Sequence, residues 1–260
     1  MNILVLLSGI ADPKWALPST LDTAALEQQR ARYPLLSPFD EAALELALKL
    51  RDADPATQIQ ALVSASSAHD PLLRHVAGFR LDQVSGFDAT RWPAWNGTAL
   101  ASALAAHLRT RTPAPDLLLI GREFGDLDEG SLPALLAEAL ALPFRSLVLG
   151  VRATAEGLEL VRQQGPAQES RPQALPALAA VTNHARNRLR HPLLKNVMAA
   201  KKMTFALIEL PEAGRPQLQL RGVATAPQAV RASACRMIEG DVIAQARALA
   251  QLLKTPGVPA

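Results

Sequence analysis

Residues 116–143 constrain the fold of this chain more than any other stretch. Four apolar residues at 117–120 end at Gly121, as expected of a short strand buried on both faces of a parallel sheet. An acidic loop with two glycines follows. Free main-chain N–H groups at such a strand-to-helix loop, together with the helix dipole, make a binding site for phosphate. The stretch therefore predicts a strand, a phosphate-binding loop and a helix whose apolar stripe is Leu132, Leu135, Leu136, Ala139 and Leu140.

The rest of the chain repeats this alternation of strand and helix. Apolar runs predict strands at 3–7, 58–63, 81–84, 117–120, 145–151 and 177–181. Helical spacing and start signals predict helices at 38–50, 70–77, 97–109 and 132–140, and Ser37 followed by Pro38 is a strong helix start. Connections too long for antiparallel hairpins favour right-handed crossovers. We predict an α/β fold with a doubly wound parallel sheet, Rossmann-like and of the adenine-nucleotide-binding type.

The character of the chain changes after residue 156. Residues 158–161 and the surroundings of Glu169 predict short extended pieces, and residues 184–203 hold most of the local positive charge. We call 184–203 the docking segment. Residues 206–260 form a proline-punctuated arm that ends in an amphipathic helix, whose apolar stripe must be buried against the sheet domain or another chain. The predicted domains are therefore 1–205, which includes the docking segment, and 206–260.

Composition excludes several classes of protein. The formal charge is +3 and no long basic run occurs, which disfavours a nucleic-acid partner. The N-terminal apolar run is too short for a signal peptide or a membrane span, so no stable membrane insertion is expected. Cys235 is the single cysteine, which suits a reducing bacterial cytoplasm and an idle thiol. The five histidines lack metal-ligand spacing.

Motifs of nucleophilic, metal-dependent or P-loop catalysis are missing from the sequence. The two carboxylates that could act in catalysis are Asp126 and Asp128, and acceptors for ribose hydroxyls or main-chain N–H groups are the favoured interpretation of both. From its residues alone, the chain is predicted to be a nucleotide-binding α/β domain with a docking tail, and composition and spacing do not reach its function.

Four stretches carry a more specific signal. Residues 2–5 read N-I-L-V, residues 37–50 read S-P-F-D-E-A-A-L-E-L-A-L-K-L, and residues 175–177 read L-P-A. Arg190 and Leu194 precede N-V-M at 196–198 and A-K-K at 200–202. In the same order, these stretches resemble the beta subunit of electron transfer flavoprotein. The family has K-I-L-V, then N-P-F-D-E-x-A-L-E-x-A-L-x-L, an acidic nucleotide loop, L-P-A, and finally R-Y-x-x-L-P-x-I-M-K-A-K-K.

The resemblance implies a subunit of a heterodimeric electron carrier. An alpha subunit would hold most of a redox-active FAD, this chain would bury a structural AMP, and a flavin dehydrogenase of the acyl-CoA or methylated-amine type would dock transiently and supply electrons for the quinone pool. By position, Phe39 would approach the flavin, Glu169 would face the alpha subunit, and Leu194, flanked by Arg190 and Lys195, would anchor the dehydrogenase. The implied AMP-binding residues are Leu6, Ser37, Pro38, Phe39, Asp40, Ala65, Gly121, Asp126, Asp128, Glu129, Gly130, Ser131 and Leu132.

The nucleotide loop departs from the family pattern. Ser8 and Gly9 stand where the family has basic or amide side chains, Ser131 replaces Gln, and Pro133 has no N–H to donate. Two alternatives stay open: a bifurcating-type subunit with FAD in place of AMP, which the loss of a cationic side chain at Ser8 disfavours, and a free-standing ATP-binding module of the stress-protein type.

Overall fold

The structure is a computed structural model that describes residues 1–15, 32, 34–89, 92, 96–126, 128–154, 157–211 and 237–254. Cys235 and most of the predicted arm lie outside the described residues. The chain divides into two compact units, Met1–Ala224 and Thr225–Ala260.

In the first unit, strands and helices alternate from residue 34 to residue 154, which confirms the predicted α/β class. The strands are β1 (Asn2–Leu7), β2 (Ile10–Ala11), β3 (Pro34–Leu35), β4 (Gln58–Ser64), β5 (Gln83–Phe87), β6 (Leu117–Gly121), β7 (Phe144–Thr154), β8 (Gly157–Gln164), β9 (Ala167–Gln173), β10 (Ala177–Val181) and β11 (Ala206–Ile208). The helices are α1 (Pro38–Ala53), α2 (Pro71–Ala77), α3 (Gly97–Arg109), α4 (Leu132–Leu140), a 3-10 turn (Ala185–Asn187) and α5 (Leu194–Ala200).

The main sheet has the strand order β11-β5-β4-β1-β6-β10-β7-β8-β9. Pairing is parallel from β11 to β7, and β1 lies in the middle between β4 and β6. Leu6 is in register with Leu62 on one side and with Ile120 on the other. The loops that follow β1, β4 and β6 therefore meet at one carboxyl edge, where ligands of doubly wound folds bind.

Side chains of the central strands alternate between two cores. Ile3, Val5 and Leu7 of β1 pack in the core that contains α1 and α2. Leu4 and Leu6 point to the opposite face, where α3 and α4 supply the buried side chains. Burial on both faces explains why these strands are continuous apolar runs rather than alternating patterns.

The structure confirms three predicted extended segments but changes their bounds. The strand predicted at 81–84 is displaced, because Asp82 accepts a hydrogen bond from the Ile59 N–H (2.7 Å) and β5 begins only after it. The short pieces predicted at 158–161 and near Glu169 are full antiparallel strands that extend the sheet beyond β7. The apolar residues of β8 end at Val161 and β9 is polar and mostly exposed, so the sequence does not reveal the full length of either strand.

In the second unit, the described part is an amphipathic helix, α6 (Val242–Lys254), as predicted at the end of the chain. Asp241 accepts a hydrogen bond from the Ala244 N–H at 2.8 Å and so caps its first turn. Five large apolar side chains of this helix are exposed: Val242, Ile243, Leu249, Leu252 and Leu253.

Candidate functional site

The carboxyl edge begins with the start of α1. The Ser37 hydroxyl accepts a hydrogen bond from the Asp40 N–H (3.0 Å), and the Asp40 carboxylate accepts one from the Ser37 N–H (3.1 Å). This reciprocal pair is a capping box, and Pro38 occupies the first helical turn, where its missing N–H costs nothing. The local sequence therefore determines where α1 begins, and it places Phe39 in the first turn of this helix.

Asp40 also ties α1 to the end of β1. Its two carboxylate oxygens accept the N–H groups of Ser8 (3.3 Å) and Gly9 (3.1 Å), and the side chain is fully buried. Burial raises the pKa of Asp40 to about 6, and the hydrogen bonds from Ser37, Ser8 and Gly9 oppose that rise. The Asp40 carboxylate thus binds the main-chain N–H groups at the end of β1, where an external anion could otherwise bind.

A second internal anion organises the loop between β6 and α4. Asp128 is buried, and one of its oxygens accepts the N–H groups of Ser131 (2.8 Å) and Leu132 (3.2 Å) as well as the Ser131 hydroxyl (2.9 Å). Its other oxygen accepts the Phe124 N–H at 3.0 Å. Gly130, with φ of 95°, supplies the left-handed turn that brings Ser131 back over Asp128.

These hydrogen bonds bear directly on the predicted phosphate site. The N–H groups of Ser131 and Leu132 are two of the donors that the sequence assigns to phosphate, and Asp128 accepts both. Pro133, the next residue of α4, offers none. The N–H groups of Ser8 and Gly9 are likewise held by Asp40, and Asp126 accepts the Ala11 N–H at 3.0 Å. These five N–H groups are already satisfied within the chain, so a phosphate at this edge would have to use other donors or displace the carboxylates.

An aromatic and cationic face lies beside these acids. Phe39 is half buried, and the Arg122 guanidinium lies 5.1 Å from the centroid of its ring, within cation–π range. Arg122 also forms an ion pair with Glu123. The backbone at Phe39 approaches β6 so closely that a Cβ on Gly121 would lie 2.9 Å from the Phe39 Cβ. Gly121 is therefore required for Phe39 to reach this position.

Replacing Gly121 with alanine should displace Phe39 and lower the free energy of unfolding by about 2 kcal/mol. The new methyl group would also lie 3.1 Å from the main-chain carbonyl carbon of Phe39, which has little freedom to move. Gly150→Ala is the control, because a Cβ there makes only ordinary contacts at 3.6 and 3.7 Å with Val161. Urea unfolding of both variants measures the difference, and equal stabilities would contradict the close approach.

The structure gathers the predicted AMP-binding residues at one edge. Leu6 lies near the end of β1, Ala65 directly follows β4, and Gly121 ends β6, while these three strands are adjacent in the sheet. The remaining members of the set lie in the loops and helix starts next to them: Ser37, Pro38, Phe39, Asp40, Asp126, Asp128, Glu129, Gly130, Ser131 and Leu132. Nucleotide binding by this set stays a prediction.

Two buried polar groups at the same edge were not among the predicted site residues. Ser8 Oγ and Asn96 Nδ2 are buried and have no hydrogen-bond partner among the described residues. A Cβ on Gly125 would lie 3.8 Å from Ser8 Oγ, so Ser8 borders the Asp128 loop. Asn96 precedes Gly97, where a Cβ would lie 3.4 Å from Ser131 Oγ. The position of these residues could have indicated them, because Ser8 directly follows β1 and Asn96 directly precedes α3.

The docking segment presents an exposed apolar surface. Leu193 and Leu194 are 61% and 76% exposed at the start of α5, and Met198 is exposed one turn later. Lys195 is exposed beside them. Pro192 packs close to Gly78 after α2, since a Cβ there would lie 3.3 Å from the Pro192 Cβ. Adjacent exposed apolar side chains with a neighbouring charge are typical of a protein interaction site.

Two predicted contact residues are engaged within the chain. Arg190 forms ion pairs with Glu45 (2.9 Å) and Asp52 (2.7 Å) of α1. Glu169 lies on the edge strand β9 and pairs with Arg162 (3.3 Å) and with Arg171. Four strand spacings, or about 19 Å, separate β9 from β6, so Glu169 does not belong to the carboxyl-edge site. The partner-contact roles of both residues stay predictions.

Within the described ranges, no group of three or more His, Cys, Asp or Glu side chains is placed to hold a metal ion. Across those ranges, no helix is both long and apolar enough to cross a membrane. The fold and the site define a Rossmann-like α/β protein with an aromatic and cationic carboxyl edge and a separate exposed apolar surface on α5. This chain belongs to the electron transfer flavoprotein domain family, which matches residues 29–213.

Curated relatives agree with that assignment. The chain is 28% identical over 254 residues to the electron transfer flavoprotein subunit beta of Mycobacterium tuberculosis, covering 89% of this chain and 87% of the relative. It is 27% identical over 235 residues to the subunit beta of Mycobacterium leprae, covering 82% and 80%. A subunit beta of Syntrophomonas wolfei is 26% identical over 172 residues, which is 66% of each chain. Electron transfer is accordingly the class of activity.

Proposed function

We propose that this chain is the beta subunit of a heterodimeric electron carrier that shares one FAD with an alpha subunit. A flavin dehydrogenase of the acyl-CoA or methylated-amine type supplies the electrons, which pass on toward the quinone pool in the bacterial cytoplasm. The subunit has no substrate of its own. The observation that carries the proposal is the Phe39 and Arg122 face at the carboxyl edge, in a chain whose relatives are subunits beta.

Phe39 and Arg122 fit one side of a flavin. FAD, when bound, supplies the redox chemistry, and the residues of this chain orient it and exclude water. The half-buried Phe39 ring offers an apolar contact, and the adjacent guanidinium offers positive charge that would stabilise the negative charge a flavin gains on reduction. A second chain has to cover the other side, which agrees with the dependence on an alpha subunit.

The partner-binding surface of the second unit is α6. Its five exposed apolar side chains cost free energy in water, and burial against the alpha subunit removes that cost. The same residues explain why a free-standing ATP-binding module is the weaker alternative, because such a module has no use for an exposed apolar helix. The bifurcating alternative needs FAD phosphates at the Asp128 loop, where Asp128 holds the donors.

Co-expression with the alpha subunit encoded by the same organism tests the proposal. We expect a 1:1 complex with a flavin absorption spectrum and about one FAD per heterodimer after denaturation. The chain expressed alone should aggregate or self-associate in light scattering, because α6 then lacks its partner. A complex without flavin, or a monodisperse monomer of the isolated chain, would count against the proposal.

A further inference from the structure

The docking segment is fixed to α1 by a charged contact that the proposed function does not by itself require. The Glu45 carboxylate accepts hydrogen bonds from Arg190 Nε (3.1 and 3.3 Å to its two oxygens) and from Arg190 Nη2 (2.9 Å). It also accepts the main-chain N–H of Arg190 at 3.1 Å. One side chain of α1 therefore holds both the side chain and the backbone of a residue 145 positions away.

Glu45 is the buried partner in its ion pair with Arg190, so loss of the pair would leave a buried charge without a partner. The Glu45 side chain is only 6% exposed, so it is largely withdrawn from water and depends on Arg190 for its counter-charge. Asp52, two turns further along α1, holds Arg190 Nη1 at 2.7 Å. These hydrogen bonds raise the pKa of Arg190 above its ordinary value, so the charge is permanent. The fork of the guanidinium fits the carboxylate in one geometry, which orients as well as attracts.

Neighbouring contacts fix the beginning of the same segment. Lys49 Nζ donates to the Arg186 carbonyl and to Asn187 Oδ1 (3.1 Å). Asn187 is buried and donates through Nδ2 to the Leu149 carbonyl at 2.6 Å. Residues 186–190 are thus held by α1 and β7, and the exposed Leu193 and Leu194 follow only three residues later.

We propose that Glu45 is a positioning residue for the docking surface: it holds Arg190 so that Leu193, Leu194 and Met198 are presented in one fixed arrangement. This inference rests on the proposed docking role of that surface. A surface that is already ordered does not lose side-chain and loop freedom when the dehydrogenase arrives, so the ion pair acts on encounter affinity and not on electron transfer within the complex. Glu45 itself touches neither the flavin nor the dehydrogenase.

The test uses the heterodimer carrying Glu45→Gln, with Glu159→Gln as the matched control. Glu159 forms a long ion pair (3.7 Å) with the exposed Arg152 on the β7–β8 hairpin, away from the docking segment. In Glu45→Gln, hydrogen exchange of peptides covering 188–198 should accelerate about ten-fold, since local opening no longer breaks the ion pair. The control should exchange like wild type throughout.

Electron-transfer kinetics then separate positioning from a merely structural role. The electron donor is an acyl-CoA dehydrogenase or a methylated-amine dehydrogenase, whichever reduces the wild-type heterodimer faster. Glu45→Gln should raise KM for that dehydrogenase about ten-fold, the equivalent of ordering one or two side chains, and leave kcat and FAD content unchanged. Arg190→Lys, which keeps the charge and loses the fork, should give an intermediate KM.

Leu194→Ala distinguishes failure of this inference from failure of the proposed function. A raised KM in Leu194→Ala with wild-type KM in Glu45→Gln would overturn positioning by Glu45 and preserve the docking surface. Wild-type KM in both variants would overturn the docking surface itself, and the inference with it. Unchanged hydrogen exchange in Glu45→Gln would overturn the inference directly, whatever the kinetics.

Discussion

Replacing Asp40 with alanine should lower the free energy of unfolding of the heterodimer by about 3 kcal/mol or more, because three buried main-chain N–H groups lose their acceptor. Those donors belong to Ser8, Gly9 and Ser37, and their side of the site is closed to water. The N-terminal cap of α1 is weakened as well, since the capping box needs the Asp40 carboxylate. Urea unfolding followed by circular dichroism measures the loss.

Asp126→Ala is the control for this substitution. Asp126 is an acid at the same edge, but it is exposed and its contact with the Ala11 N–H is open to water. Water can replace an exposed carboxylate as acceptor, so we expect a loss below about 1 kcal/mol. Equal losses in the two variants would contradict the bridging role of Asp40.

Burial of Asp40 should also be visible in the pH dependence of the free energy of unfolding. The pKa of Asp40 is about 6 in the folded protein against an ordinary value of 3.8, so the folded state takes up a proton first as pH falls. Neutral Asp40 therefore stabilises the fold below about pH 4, and that contribution is lost as pH rises through 6. Between pH 7 and pH 5, the difference in unfolding free energy between wild type and Asp40→Ala should grow by about 1 kcal/mol.

The sequence predicts the parts of this fold that depend on local patterns. β1 and β6 are apolar on both faces and could be recognised as buried strands, and the capping box of Ser37 and Asp40 is visible within four residues. β8 and β9 could not be recognised in the same way. β8 shows alternation only at Leu158 and Leu160, and β9 is almost entirely polar. Both strands depend on pairing with β7 and with each other, which the sequence does not show.

For the candidate site, too, one part could be predicted from the sequence and another could not. The sequence itself predicted only the loop after β6, and the family resemblance supplied the residues next to β1 and β4; the observed strand order brings all three loops together. The partners of its acids were not predictable, because Asp40 reaches Ser8 across 32 residues and Glu45 reaches Arg190 across 145. A donor that appears free in the sequence, such as the Ser131 N–H, is found to be occupied only once the Asp128 side chain is in place.

Because Asp128 already occupies the N–H donors of its loop, we expect weak binding of AMP. The heterodimer should lose AMP during gel filtration, because phosphate has to compete with Asp128 for the Ser131 and Leu132 N–H groups. Two negative groups at contact distance also repel each other by several kcal/mol at a partly buried site. Denatured protein should therefore release FAD and far less than one AMP per heterodimer.

Two substitutions of Asp128 separate its charge from its hydrogen bonds. Asp128→Ala removes the negative charge and frees both N–H groups, so AMP should bind at least about ten-fold more tightly by calorimetry. Asp128→Asn removes the charge but keeps an oxygen that caps α4, and AMP affinity should lie between wild type and Asp128→Ala. Stoichiometric AMP in the wild-type complex would show that the phosphate binds without these donors. Asp128 would then be a helix cap and nothing more.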